Sequence, residues 1–166
     1  MTTIGGGLAS NCYNAKHIVI PDNITTISSE AFSLCYSVEE IKIPELVTSI
    51  GSYAFRNCSS ARSIKLSEEL MTIGNSAFVG CDSISEITIP PKVTSIGNLA
   101  FHKSYILQKL ENLYVKPTTP PTLSSTNVFS IDSTTIIHVP QGTLETYRAA
   151  TNWSAWAQYM VDDITE

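Results

Sequence analysis

The four cysteines of the chain, Cys12, Cys35, Cys58 and Cys81, are evenly spaced, each twenty-three positions after the one before. The same step carries Ala31-Phe32 onto Ala54-Phe55, Ala77-Phe78 and Ala100-Phe101. It also carries Ile18-Val19-Ile20-Pro21 onto Ile41-Lys42-Ile43-Pro44, Ile64-Lys65-Leu66-Ser67 and Ile87-Thr88-Ile89-Pro90. A fixed period of this size marks a stacked-repeat architecture. One copy is too short to bury its own apolar side, so stacked copies must share a continuous core in which each touches mainly its neighbours.

Within a copy the apolar positions recur in fixed places. In the second unit they are Ile41, Ile43, Val47, Ile50, Ala54, Phe55, Cys58 and Ala61. The Ile-x-Ile pair has the alternation of a strand with one buried face, and the proline after it ends that strand because it cannot donate to a ladder. Ser28, Gly51, Gly74 and Gly97 follow a buried isoleucine, a place suited to a turn with an unusual φ. The pattern weakens at both ends. Leu8 to Lys16 reads as the tail of an earlier, incomplete unit. The next strand motif, Leu113-Tyr114-Val115-Lys116-Pro117, comes three positions later than the period counted from Ile87 requires, which implies an insertion of that length between Ser104 and Asn112. Pro117–Thr126 is expected to be a Pro/Ser/Thr loop. A last strand, Ile136–Pro140, precedes a helix capped by Thr143, with Leu144 and Tyr147 on one face. Trp153 and Trp156 are expected to pack in a closing cap. The domain reading is one unit over 1–166: a partial repeat (8–17), four repeats (18–112), a degenerate repeat with its loop (113–135), and a strand with a cap (136–166).

Composition excludes some functions. The net charge of −5 and the scattered ten Lys and Arg offer no basic face for nucleic acid. No apolar stretch approaches the roughly 20 residues that span a bilayer. The start, MTTIGGGLASN, lacks the charged and apolar regions of a signal peptide.

The unit I-x-I-P-x-x-V-T-x-I-G-x-x-A-F-x-x-C-x-S resembles the repeat of the BspA-like leucine-rich repeat family over roughly Leu8 to Val115, best in Ile41–Ser63. The closing Val139–Tyr159 is also similar to the ends of such proteins. Departures from the pattern are Ser67 for the usual proline, Ala61 for a larger apolar residue and Ser104 for the cysteine. The resemblance implies a leucine-rich repeat solenoid, a right-handed superhelix of β/α type with 23-residue units, short strands, turns and a C-terminal cap. It further implies a bacterial protein that is extracellular or displayed at the cell surface. It carries over no catalytic residues.

The residues themselves offer little chemistry. Cysteines one per unit form a row instead of converging on a metal, which argues against a metal site. They read as buried free thiols, with a disulfide between adjacent rungs as the alternative. The replacement at Ser104 points to a slot that selects for size. His17, His102 and His138 occur in no H-E-x-x-H, and no nucleophile elbow or phosphate loop is present. No cofactor is expected, nor an enzyme. The candidate ligand surface is the outward face of the sheet: Lys42, Lys65, Thr88, Tyr114 and His138 in one row, with Glu40 and Glu86 beside it. Lys42 and Lys65 next to those glutamates also suit cross-strand charge pairs that need no ligand. The expected function is a non-enzymatic binding module whose partner is a protein, with glycan second. The alternative is a structural spacer of a larger surface protein.

Overall fold

The computed structural model describes residues 3–7, 9–104 and 110–165. The chain winds into a parallel β-solenoid of about seven coils. One wall is a six-stranded sheet of two-residue strands: β1 (Thr3–Ile4), β2 (Thr26–Ile27), β4 (Ser49–Ile50), β6 (Thr72–Ile73), β8 (Ser95–Ile96) and β10 (Thr122–Leu123). All its pairs are parallel, and the register advances one repeat per strand, as in Ile27↔Ile50 and Ile50↔Ile73. The other wall carries β3 (Glu40–Lys42) with β5 (Ser63–Lys65), then a four-stranded sheet. That sheet orders β7 (Glu86–Ile89), β9 (Asn112–Val115), β11 (Ile136–Pro140) and β12 (Met160–Ile164) side by side. The coils are joined by turns. Among the described residues, helix occurs only in the cap, as α1 (Leu144–Ala149) and a 3₁₀ segment over Ser154–Tyr159. The repeat is thus a strand-and-turn form of the expected solenoid.

The core follows from the repeat. Each unit sends Ile-x-Ile, Val or Leu, Ile, Ala-Phe and Cys inward, and these columns are buried from Ile20 to Phe101 with Ile64 only half-buried. The Phe32, Phe55, Phe78, Phe101 and Phe129 rings stack face to face at 5.2, 5.2, 5.0 and 5.5 Å between centroids. Identical side chains in register give one ring per coil, and each central ring is covered on both faces.

The glycines do something other than expected. Gly51, Gly74 and Gly97 have no left-handed φ. A Cβ at Gly74 would lie 2.6 Å from the Ser52 nitrogen, and at Gly97 2.5 Å from that of Asn75. These positions need glycine because neighbouring coils approach backbone to backbone. The left-handed turns lie further on, at Glu30, Tyr53, Ser76 and Leu99, and again at Asn11, Leu34, Asn57 and Gly80. Both sets keep the period of the repeat, and most members are not glycine. A non-glycine residue there costs about 1–2 kcal/mol locally, so stacking of the coils must hold these turns.

The C-terminal part departs from the sequence reading. The stretch expected to be a loop contains β10, whose Leu123 is buried and pairs with Ile96. Its prolines cannot donate, but their carbonyls accept. Tyr147 Oη donates to Pro117 O at 2.6 Å and Trp153 Nε1 to Pro121 O at 2.8 Å. Val128-Phe129 then continues the Ala-Phe column. Helix α1 forms, with Tyr147 buried, but Thr143 does not cap it. Its hydroxyl donates instead to Pro140 O at 2.7 Å. Trp153 and Trp156 close the stack as expected, at 6.0 and 5.9 Å from Phe129. The expected insertion between Ser104 and Asn112 falls mostly on residues 105–109, and the start of the partial repeat on Leu8; these lie outside the described residues.

Candidate functional site

The outward row of the second wall divides into two groups. On the two-stranded sheet, Lys42 stands in register with Lys65, and Glu40 with Ser63. On the four-stranded sheet, Thr88, Tyr114, His138 and Val161 share one register, and Glu86, Asn112 and Ile136 another. No described strand pairing joins β5 to β7, so Lys65 and Thr88 are not brought into one ladder.

The expected charge pairs do not form. Lys42, Glu40 and Glu86 are exposed and make no ion pair among the described residues. Lys65 reaches Glu45 at 3.8 Å instead. Glu45 lies on the turn after the neighbouring strand, and pairing there relieves the like charges of Lys42 and Lys65 placed directly opposite. Similar rung-to-rung pairs join Lys16 to Glu39 at 3.7 Å, Lys116 to Glu68 at 3.6 Å and Lys92 to Glu69 at 2.6 Å. All are exposed, so each contributes at most about 1 kcal/mol.

The second group is more organised. The Tyr114 and His138 rings stack at 4.3 Å and 15°. His138 is fixed from both nitrogens: Nδ1 lies 2.9 Å from each carboxylate oxygen of Asp163, and Nε2 lies 3.1 Å from Asn112 Oδ1. The ring is held edge-on between three strands, with 12% of its side chain exposed. Beside it stand Ile136 and Val161, 44% and 39% exposed. The result is an aromatic–apolar patch with one carboxylate, on a wall whose other outward strand residues are mostly polar. Sequence reasoning named Tyr114 and His138 but missed Asp163, which lies two positions past the point where the period from His138 falls. No sequence signal marked it, because Met-Val-Asp-Asp-Ile over Met160–Ile164 lacks the alternation of a half-buried strand.

The cysteine column has a different logic from the one expected. Cys35, Cys58 and Cys81 are buried, and each thiol faces a carbonyl of the preceding coil: Ala9 O at 3.2 Å, Phe32 O at 3.6 Å and Phe55 O at 3.3 Å. Burial pushes the Cys35 thiol up to about 11 and Cys81 well above its ordinary value. The slot therefore uses a buried donor as well as a small side chain. Ser104 does not occupy it. Ser104 is exposed, and its N–H donates to Asp82 Oδ1 at 2.7 Å. Cys12 is exposed too, so the reading of four buried thiols holds for three. No group of three or more His, Cys, Asp or Glu suited to a metal occurs among the described residues.

The model for the BspA-type leucine-rich repeat region matches residues 1–115 in six copies. The chain belongs to the BspA-type leucine-rich repeat family. Solved structures agree in fold. A leucine-rich repeat protein from Bacteroides ovatus is 25% identical, with TM-score 0.59 over 87% of this chain and 44% of its own. A leucine-rich cell surface protein from Faecalibacterium prausnitzii is 26% identical, with TM-score 0.59 over 88% and 35%. The pneumococcal vaccine antigen PcpA, 18% identical, gives TM-score 0.59 over 90% and 40%, a likeness of fold alone. The chain spans less than half the length of each. No curated protein matches it. Among the described residues, no helix is long and apolar enough to cross a membrane.

Proposed function

We propose that this BspA-type repeat module is a non-enzymatic recognition segment of a secreted or surface-displayed bacterial protein, binding a protein partner through the outward wall that carries Tyr114 and His138. The observation that carries the reading is the fixed ring pair. Binding costs less when an aromatic side chain is already held in place, and Asp163 and Asn112 hold His138 against Tyr114 at 4.3 Å. Tyrosine next to exposed Ile136 and Val161 is the composition of an interface centre rather than of its polar rim. Lys42, Lys65, Glu40 and Glu86 would then supply the rim, and Thr88 the border of the patch. The similar Faecalibacterium protein is a cell surface protein, which supports the location. Glycan is the second ligand class.

The rung-to-rung ion pairs favour one other reading, a spacer. A wall whose lysines are largely neutralised by their own neighbours has little charge left to offer a partner. Surface-immobilised chain tested against extracellular-matrix proteins and glycan arrays separates the two. Recognition predicts saturable binding that Tyr114→Ala weakens about 30-fold or more, the scale of an interface hot spot, with Lys65→Ala several-fold. Absence of binding across both panels would leave the spacer.

A further inference from the structure

We propose that the cleft between Tyr36 and Ser104 is a binding site for a neutral sugar, held by its ring face on Tyr36 and by its hydroxyls on Asn57 and Asp82. The residues one position after each cysteine form a column of their own: Tyr13, Tyr36, Ser59 and Asp82. The Tyr13 and Tyr36 rings stack at 5.6 Å and 13°. Ser59 is too small to continue the stack, so the column of rings stops and the second face of Tyr36 is left toward the coil of Ser59. In the neighbouring column of left-handed turns, Leu34 and Asn57 give way to Gly80. The result is a cleft of about 460 Å³ lined by Tyr36, Asn57, Ser59, Gly80, Asp82 and Ser104, within the roughly 300–1,000 Å³ of small-molecule sites. It shares no residue with the Tyr114–His138 patch and does not depend on the function proposed for it.

The polar groups of this cleft are spare. Among the described residues, the Tyr36, Ser59 and Ser104 hydroxyls and the Asn57 carboxamide make no hydrogen bond. A Cβ at Gly80 would run into Asn57 Oδ1 and lie 3.1 Å from Ser104 Oγ, so both groups converge over the bare glycine. Asp82 is buried at the base, with 8% exposure, and its Oδ1 accepts from the Ser104 N–H at 2.7 Å. That bond orients the carboxylate and leaves Oδ2 for a ligand. Ser83 Oγ donates to Ser59 O at 2.6 Å, and Ser60 N to Tyr36 O at 3.1 Å. The coils under the cleft are thus already fixed, and little order remains to be lost on binding.

These groups select a class of ligand. A carboxylate only accepts hydrogen bonds, whereas hydroxyls and a carboxamide both donate and accept, a set matched by a molecule with several hydroxyls. The open ring face beside them takes an apolar surface edged with C–H groups, as a pyranose presents. The charges disfavour ions. Asp82 repels an anionic ligand, and the buried Lys103 ammonium stands near enough to interact with Asp82, which opposes a metal cation there. With coils about 4.8 Å apart, Tyr36 and Asp82 are separated by roughly 10 Å along the stack, room for one sugar ring between them.

The test is amide chemical-shift mapping of the native chain titrated with the methyl glycosides of glucose, galactose, mannose and N-acetylglucosamine. At least one should give saturable shifts at Asn57, Ser59, Gly80, Asp82 and Ser104, with the millimolar affinity that a ligand of about a dozen heavy atoms reaches. Ser59→Tyr continues the Tyr13–Tyr36 stack into the cleft and should abolish these shifts. Asp82→Asn keeps an acceptor for the Ser104 N–H and should weaken binding about tenfold or more, and Tyr36→Ala several-fold. Amides outside the cleft report that each variant is folded. Tyr114→Ala should leave the binding unchanged, which separates this site from a glycan held by the Tyr114–His138 patch. The proposal is overturned by the absence of saturable shifts with all four glycosides, by binding that survives Ser59→Tyr or is unaffected by Asp82→Asn, or by binding lost in Tyr114→Ala.

Discussion

The first and last described coils of the solenoid differ in how their apolar layer is covered. A stack of identical coils leaves its last apolar layer bare unless something unlike the repeat covers it. At the C-terminal end Trp153 and Trp156 cover Phe129, and Tyr147 packs edge-on against Trp153. Their polar atoms reach back to Pro117 and Pro121, and the Asn152 amide donates to Leu123 O at 2.7 Å. At the N-terminal end the aromatic column stops at Phe32 and its neighbour is Ala9. That coil is held by main-chain bonds, by Ser37 Oγ donating to Tyr13 O at 2.7 Å, and by a Tyr13–Tyr36 stack at 5.6 Å. Cys12 is exposed there, whereas its counterparts Cys35, Cys58 and Cys81 are buried. The last coil is covered by large side chains whose polar atoms bond to the chain, while the first described coil carries the repeat's small residues and an exposed Cys12. Order within the stack is set by the period, and order at an end has to be built separately.

The largest effect that could break this comparison is truncation of the core at the centre and at the cap. Phe55→Ala removes a ring stacked on both faces, and Trp153→Ala a fully buried indole. Each should cost about 3–5 kcal/mol in chemical denaturation. A loss under about 1 kcal/mol at Trp153 would mean that the cap does not close the core.

Glycine substitutions sharpen the contrast at a smaller scale. Gly74→Ala places a methyl 2.6–2.7 Å from backbone atoms of Ser52 and Gly51. It should cost about 1–3 kcal/mol, as forced overpacking does. Gly5→Ala meets nothing within 4 Å and should change stability by less than about 0.5 kcal/mol. Equal effects at the two sites would contradict the close approach of the central coils.

Alkaline pH separates the cysteine column from the cap by their buried acids. Cys35 and Cys81 are held protonated in the fold, Cys35 up to about 11 against an ordinary value of 9.0. Above pH 9 the unfolded chain releases these protons while the folded chain keeps them. Their contribution is therefore complete below pH 9 and declines as pH rises toward 11. Burial raises the Tyr147 phenol as well, from an ordinary value of 10.0, so the cap adds its own loss from about pH 10 upward. Replacing Cys35 and Cys81 with alanine should flatten the stability curve between pH 9 and 10, whereas Tyr147→Phe should flatten only the part above pH 10. Stability measured by urea denaturation across this range checks both.

Much of the fold was legible because a repeat states each packing position several times. The Ile-x-Ile, Ala-Phe and Cys columns could be read directly, and Tyr114 and His138 stood in register as expected. What escaped the sequence depends on contacts between coils. Glycine after a buried isoleucine suggests a turn. Only the neighbouring coil shows that the missing Cβ makes room for Ser52 and Asn75. Leu34 and Tyr53 are poor formers of left-handed turns, so nothing local marks them. Cys12 looks like its repeats, and nothing in the pattern marks its exposure. The Pro117–Thr126 stretch has loop composition, yet its carbonyls are the acceptors the cap needs. Asp163 reaches His138 from a position that the period does not mark.

The most direct test of these unequal ends is native-state hydrogen exchange resolved along the chain. Amides of the N-terminal coil that bond to the next one, at Ala9 and Asn11, should exchange first. Those of the central coils, such as Phe55 and Phe78, and of β11 against β12 should exchange last and together, near the global unfolding free energy. Protection at Ala9 and Asn11 equal to that at Phe55 and Phe78 would contradict the account.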